Sequence, residues 1–122
     1  MESIKLSDSE MKFMNVIWDR APINSTELVK LVESEFGWKK STTYTVIRRL
    51  SQRGIVKNEN AVVSYLVKRE EVQQVKGEEI LGKVYGGSIK MLLASFLNKD
   101  KISREEAEEL KNMIDEYIEK DE

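Results

Sequence analysis

The chain has 122 residues, with 20 basic and 22 acidic side chains and a net charge of −2. At 34% charged and 40% hydrophobic with a single proline, it is neither low-complexity nor broadly disordered, and it has room for one ordinary domain or two very small ones. Cysteine and histidine are both absent, which excludes disulfides, thiolate nucleophiles, thiolate metal sites and imidazole bases.

No enzyme activity, catalytic residue, metal or cofactor is therefore expected. No apolar run approaches the ~18–20 residues of a membrane span. Met1-Glu2-Ser3-Ile4-Lys5 lacks the charged-then-apolar layout of a signal peptide. The expected location is cytoplasmic, with no membrane insertion.

Ser7-Asp8-Ser9-Glu10 has the form of a capping box, in which Ser7 accepts from the backbone of Glu10 and Glu10 reaches back. Met11, Met14, Ile17 and Trp18 follow at helical spacing, and Pro22 stops this first helix near Arg20. Pro22-Ile23 reads as a brief extended piece. Asn24-Ser25-Thr26-Glu27 opens a second helix with an apolar stripe of Leu28, Leu31, Val32 and Phe36, closed by Gly37. A third helix is expected from about Ser41 to Arg53, closed by Gly54. Val46, Ile47 and Leu50 form its inner face, with Thr43 on the same side. Ser41, Tyr44, Thr45, Arg48 and Gln52 lie opposite, flanked by Thr42, Arg49 and Arg53. After Gly54, Ile55-Val56-Lys57 and Val62-Val63-Ser64-Tyr65-Leu66-Val67 are rich in β-branched residues around the turn-forming Asn58-Glu59-Asn60-Ala61, the pattern of a short β-hairpin.

Three helices and a hairpin in this order predict a winged helix-turn-helix over residues 1–68, with the third helix in the reading position and the hairpin as wing. Residues 69–122 return to helical periodicity. Val72, Val75, Ile80, Leu81 and Val84 mark one helix, weakened by Gly77 and Gly82 and broken at Gly86-Gly87. Ile89, Leu92, Leu93, Phe96 and Leu97 mark a second. Ser103-Arg104-Glu105-Glu106 caps a third, in which Leu110, Met113, Ile114, Tyr117 and Ile118 form one stripe. The expected fold class is mainly α with a small β-hairpin: a winged helix-turn-helix followed by an α-helical dimerisation domain at 69–122.

Charge divides along the same line. Residues 1–68 carry 11 basic and 8 acidic side chains, net +3, and residues 69–122 carry 9 and 14, net −5. Between Glu35 and Glu59 there is no acid, yet Lys39, Lys40, Arg48, Arg49, Arg53 and Lys57 all fall there. A cationic segment in an anionic protein attracts phosphate locally. Ser41, Thr42, Tyr44 and Thr45 occupy the first turns of the reading helix, where short polar side chains meet base edges, and Arg48 is placed to read guanine. Lys39, Lys40, Arg49, Arg53 and Lys57 suit phosphates. A blander assignment stands beside each: Ser41 and Thr42 as helix caps, Tyr44 as packing, Arg49 as half of a structural ion pair.

Three short helices over 69–122 bury little core alone. Leu92, Phe96, Leu110, Met113, Ile114, Tyr117 and Ile118 are accordingly expected to meet the same residues of a second copy; packing back on residues 1–68 is the alternative. A two-fold dimer sets two reading helices at successive major grooves of double-stranded DNA, about 34 Å apart.

Taken in order, these segments resemble the penicillinase-repressor family of BlaI/MecI/CopY type over nearly the whole chain. Leu6-Ser7-Asp8-Ser9-Glu10 with Met14-Asn15-Val16-Ile17-Trp18 resembles its first helix. Trp38 through Leu50 and on to Gly54 resembles its Trp-led reading helix without gaps, with Thr42, Thr45, Arg49, Leu50 and Gly54 on matching positions. Tyr65 matches the wing tyrosine, and Tyr85-Gly86-Gly87-Ser88 with the helix from Ser103 matches the dimerisation region. The resemblance implies a homodimeric repressor on a palindromic operator. In the β-lactam-responsive members it further implies a membrane sensor-protease pathway that cuts the dimerisation region. The copper-responsive branch carries a cysteine cluster near its C-terminus, which this chain lacks. The β-lactam branch is cut at an Asn-Phe step; the matching step here is Ser95-Phe96, with serine in place of asparagine. Two rival functions share this fold: a winged-helix regulator with an effector pocket between its two domains, and a winged helix used for protein contact.

Overall fold

The computed structural model of the chain describes residues 4–121. Helix α1 (Asp8–Arg20) starts at the expected capping box: the Glu10 N–H donates to Ser7 Oγ at 3.2 Å and the Ser7 N–H donates to Glu10 Oε1 at 2.9 Å. Its buried face is Phe13, Met14, Val16 and Ile17. Met11 and Trp18, expected on that face, are half-buried at its margin instead. Helix α2 (Ser25–Phe36) is capped by Asn24, whose Oδ1 accepts from the Thr26 N–H, and ends at Gly37 with φ +73°. Helix α3 (Lys40–Gln52) buries Thr43, Val46, Ile47 and Leu50, the inner face its spacing predicts.

The strands β1 (Ile23–Asn24), β2 (Val56–Glu59) and β3 (Val62–Tyr65) form an antiparallel sheet in the order β1-β3-β2. The wing is therefore three-stranded, where the sequence predicted a two-stranded hairpin. An isolated hairpin is marginal in water. Pairing Ile23 with Val63 and Asn24 with Val62 gives β3 a partner on both edges and buries Ile23 and Val63. The β2–β3 turn is Asn60-Ala61, with φ of +53° and +63°. Two positive φ values are what a two-residue type I′ hairpin turn requires.

Helix α4 (Arg69–Tyr85) runs unbroken through Gly77 and Gly82 and stops where Gly86 and Gly87 take positive φ. Helix α5 (Ile89–Leu97) is capped by Ser88, and α6 (Arg104–Lys120) by Ser103. Two compact units result, Met1–Glu78 and Glu79–Glu122. Secondary structure changes character at 68/69, where the sequence divides. Packing divides later, because Val72 is fully buried in the first unit's core with Phe13, Leu28, Leu50, Ile55 and Val63. The second unit has no counterpart to that core: α5 and α6 contain no buried residue. Among the described residues no single helix is long and apolar enough to cross a membrane.

Candidate nucleic-acid interface

Burying Thr43, Val46, Ile47 and Leu50 turns most of the remaining residues of α3 outward. Ser41, Thr42, Thr45, Arg48 and Arg49 are exposed, as are Lys39 and Lys40 at the helix start. Trp38 anchors that start, stacking on Phe13 at 5.4 Å and 20° and tilting against Phe36 at 5.8 Å. The cap position is Lys39, which makes no side-chain capping bond. Ser41 and Thr42 lie inside the helix, so the capping role that competed for them does not apply.

Each hydroxyl has a definite capacity. Thr45 Oγ1 donates to the Ser41 carbonyl at 2.9 Å, a bond back along the helix. Its proton is thereby committed, leaving lone pairs to accept from a base amino group and a methyl to meet thymine. Tyr44 is half-buried, and its hydroxyl donates to Ser25 Oγ at 3.3 Å. That tie to α2 makes Tyr44 first a packing residue, with less surface for DNA than its helix position promises.

The cations fall into two groups. Lys39, Lys40 and Arg48 make no ion pair among the described residues. Lys57 pairs with Glu59 at 3.3 Å across an exposed surface, a contact worth about 0–1 kcal/mol. Arg49 and Arg53 converge on Glu10: Arg49 Nε donates to Oε2 at 3.1 Å and Arg53 Nη1 to both oxygens at 3.2 Å. Arg53 Nη2 also donates to the Lys5 carbonyl. The two arginines differ in what is left over, since the Arg49 side chain is 51% exposed and that of Arg53 27%. Arg53 is largely structural, while Arg49 keeps a solvent-facing part.

Glu10 itself is 6% exposed. Burial alone raises a carboxyl pKa, but the Ser7 N–H, the Arg53 guanidinium and Arg49 outweigh it and hold Glu10 below the usual carboxylate value. The sequence assigned Glu10 only to the cap of α1. Its partners lie 39 and 43 positions away, and no local signal announces such a pairing. The segment without acids between Glu35 and Glu59 therefore gains an anion from α1. Ser9, Ser41, Thr42, Thr45 and Arg49 line a cleft of about 410 Å³ between the first turn of α1 and the outer face of α3. Ser9 was not among the sequence candidates. Among the described residues no group of acidic side chains is placed to hold a metal.

In the second unit, Phe96, Met113, Ile114, Tyr117 and Ile118 are 46–72% exposed, and Leu92 and Leu110 are half-buried. Leu93, Leu97, Ile102, Ala107, Leu110 and Ile114 line an apolar cavity of about 230 Å³ between α5 and α6. The Ser95-Phe96 step lies inside α5, with Ser95 Oγ donating to the Leu92 carbonyl at 2.8 Å and 3.2 Å from the Tyr85 hydroxyl.

The family profile described as penicillinase repressor matches residues 6–116. The chain is 27% identical to the methicillin resistance regulatory protein MecI of Staphylococcus aureus strain Mu50, over 93% of this chain and 95% of that one. It is 30% identical to the penicillinase repressor of Bacillus licheniformis, over 93% and 91%. Among solved structures, monomeric B. licheniformis BlaI in complex with the blaP half-operator aligns at a TM-score of 0.49 and 27% identity, covering 55% of this chain and 87% of that one. The chain belongs to the penicillinase-repressor family, and it is a DNA-binding transcriptional repressor rather than an enzyme.

Proposed function

We propose that two copies of this chain pair through residues 69–122, occupy a palindromic operator as a cytoplasmic homodimer, and leave it when the dimerisation region is weakened or cut. The observation that carries the pairing is the unburied apolar surface of the second unit. Met113, Ile114, Tyr117 and Ile118 are all more than half exposed on one helix that is otherwise densely charged. Each large apolar side chain gains ~1.5–3 kcal/mol when fully buried and nothing when left in water. A second copy supplies the same stripe by symmetry.

On DNA, Lys39, Lys40, Arg49 and Lys57 neutralise phosphates while Ser41, Thr42, Thr45 and Arg48 face base edges, with Tyr44 and the largely structural Arg53 at the margin. Each half holds too few contacts to stay bound, so pairing sets affinity and its loss releases the operator by mass action. Two relatives carry names tied to methicillin resistance and penicillinase, which favours an antibiotic-type signal through a sensor-protease pathway. Cleavage at Ser95-Phe96 requires α5 to unwind first, because the step is helical.

A gel shift tests the reading, comparing the full chain with a fragment ending at Glu78, which keeps Val72 in its core. On a fragment of the protein's own promoter, full-length protein is expected to bind tightly and cooperatively, and the short fragment weakly. Equal affinity of the two would refute a mechanism governed by pairing.

A further inference from the structure

We propose that Glu10 is a positioning residue for DNA binding: it grips Arg49 through Nε and so presents the remaining guanidinium nitrogens to a backbone phosphate seated in the cleft between α1 and α3. The inference rests on the reading that the outer face of α3 meets DNA.

An exposed arginine samples many rotamers, and fixing one for a phosphate costs side-chain entropy at the moment of binding. Arg49 has already lost that freedom. Its Nε donates to Glu10 Oε2 at 3.1 Å, and among the described residues neither Nη has a partner. A guanidinium held at Nε still offers two coplanar Nη donors, and paired donors match a phosphate's oxygens. Glu10 is a firm anchor because both its oxygens are committed. Oε1 accepts from the Ser7 N–H and Arg53 Nη1, and Oε2 from Arg49 Nε and Arg53 Nη1. These are the charged and donor groups that face it: the turn before α1 on one side, and Arg49 and Arg53 of α3 on the other. The cleft beside Arg49 is lined by Trp38, Val46 and the hydroxyl residues Ser9, Ser41, Thr42 and Thr45; the Thr45 proton is committed to the Ser41 carbonyl, so Ser9, Ser41 and Thr42 are the neutral donors suited to a phosphate oxygen. Helix α1 contributes both Ser9 and Glu10, consistent with a first helix that crosses the DNA backbone.

The test measures binding of the full chain to a fluorescein-labelled random-sequence duplex by anisotropy across a salt series. Glu10→Gln removes a negative charge near the interface, so charge alone would tighten binding. A positioning role gives the opposite sign, a loss of about threefold to tenfold. Glu10→Gln is also expected to cause no further loss in an Arg49→Ala background. Arg49→Ala is expected to lower the salt slope by about 0.9, the share of one phosphate. Arg49→Lys keeps the charge but not the fork, and is expected to lose affinity as well.

Binding by Glu10→Gln at or above wild-type strength overturns the proposal. If Glu10→Gln does not fold by circular dichroism, Arg49→Lys decides, and wild-type affinity and slope for it reject the role. Weakened binding by Lys40→Ala beside normal binding by Glu10→Gln removes the positioning role while keeping α3 on DNA. Normal binding by both Lys40→Ala and Arg49→Ala removes the interface itself.

Discussion

Replacing Ile114 with aspartate tests the pairing surface most directly. Ile114 sits mid-stripe on α6 and is 51% exposed. That leaves roughly 90–100 Å² of its surface in water, and burying it against a second copy gains about 2–2.5 kcal/mol at 25 cal/mol per Å². A two-fold interface contains the residue twice, so Ile114→Asp forfeits about 4–5 kcal/mol before counting any carboxylate it buries. At 1.4 kcal/mol per power of ten, the dimer dissociation constant rises roughly a thousandfold. Sedimentation equilibrium over a micromolar concentration series reads this as a shift from dimer to monomer. Both tryptophans, Trp18 and Trp38, lie in the first compact unit, so an unchanged tryptophan near-ultraviolet signal shows that the winged helix stays folded. An Ile114→Asp protein of unchanged mass at every concentration would refute the reasoning, because no dimer through this stripe tolerates a carboxylate there at no cost.

Three further outcomes are expected. Thr45→Ala is expected to cost about 1–3 kcal/mol on the operator and almost nothing on random DNA, measured by competition gel shift. Thr45→Val retains the methyl and so separates thymine contact from hydrogen bonding; equal losses on both DNAs reject a base-reading role. Ala61→Gly relieves an alanine held at φ +63°, so thermal unfolding should shift upward by about 0.5–1 kcal/mol once the extra freedom of glycine in the unfolded chain is set against it; an unchanged or lower melting temperature refutes this. Glu10 has a folded-state pKa below its unfolded value, so its ion pairs stabilise the fold above that unfolded value and are lost as pH falls through the lower folded value. An acid series from about pH 5 downward should show wild type losing stability faster than Glu10→Gln, and parallel curves count against the linkage.

Much of this protein is written in short-range patterns. The Ser7–Glu10 box, the Ser103 cap, the breaks at Gly37, Gly54 and Gly86-Gly87, and the inner face of α3 each rest on successive residues no more than four positions apart. Helix starts, ends and faces are decided at that range, and all of these appear in the structure. The cationic outer face of α3 and the exposed stripe of α6 were legible for the same reason, since periodicity alone sorts their faces.

Other features were settled only by folding. Ile23-Asn24 becomes a strand because β3 has a free edge 40 positions away in the register Ile23–Val63. Val72 joins the first core although it lies beyond residue 68, where the sequence divides, and the helix that carries it runs on past Glu78 into the second unit. Tyr44 turns toward Ser25, and Arg49 and Arg53 close on Glu10, so three of the ten residues that the sequence offered to DNA acquire partners on other elements. Sequence sets which face of a helix is polar, because that follows from a 3.6-residue repeat. Which polar groups on that face remain available depends on what the chain brings alongside from distant positions, and that juxtaposition exists only in the tertiary structure.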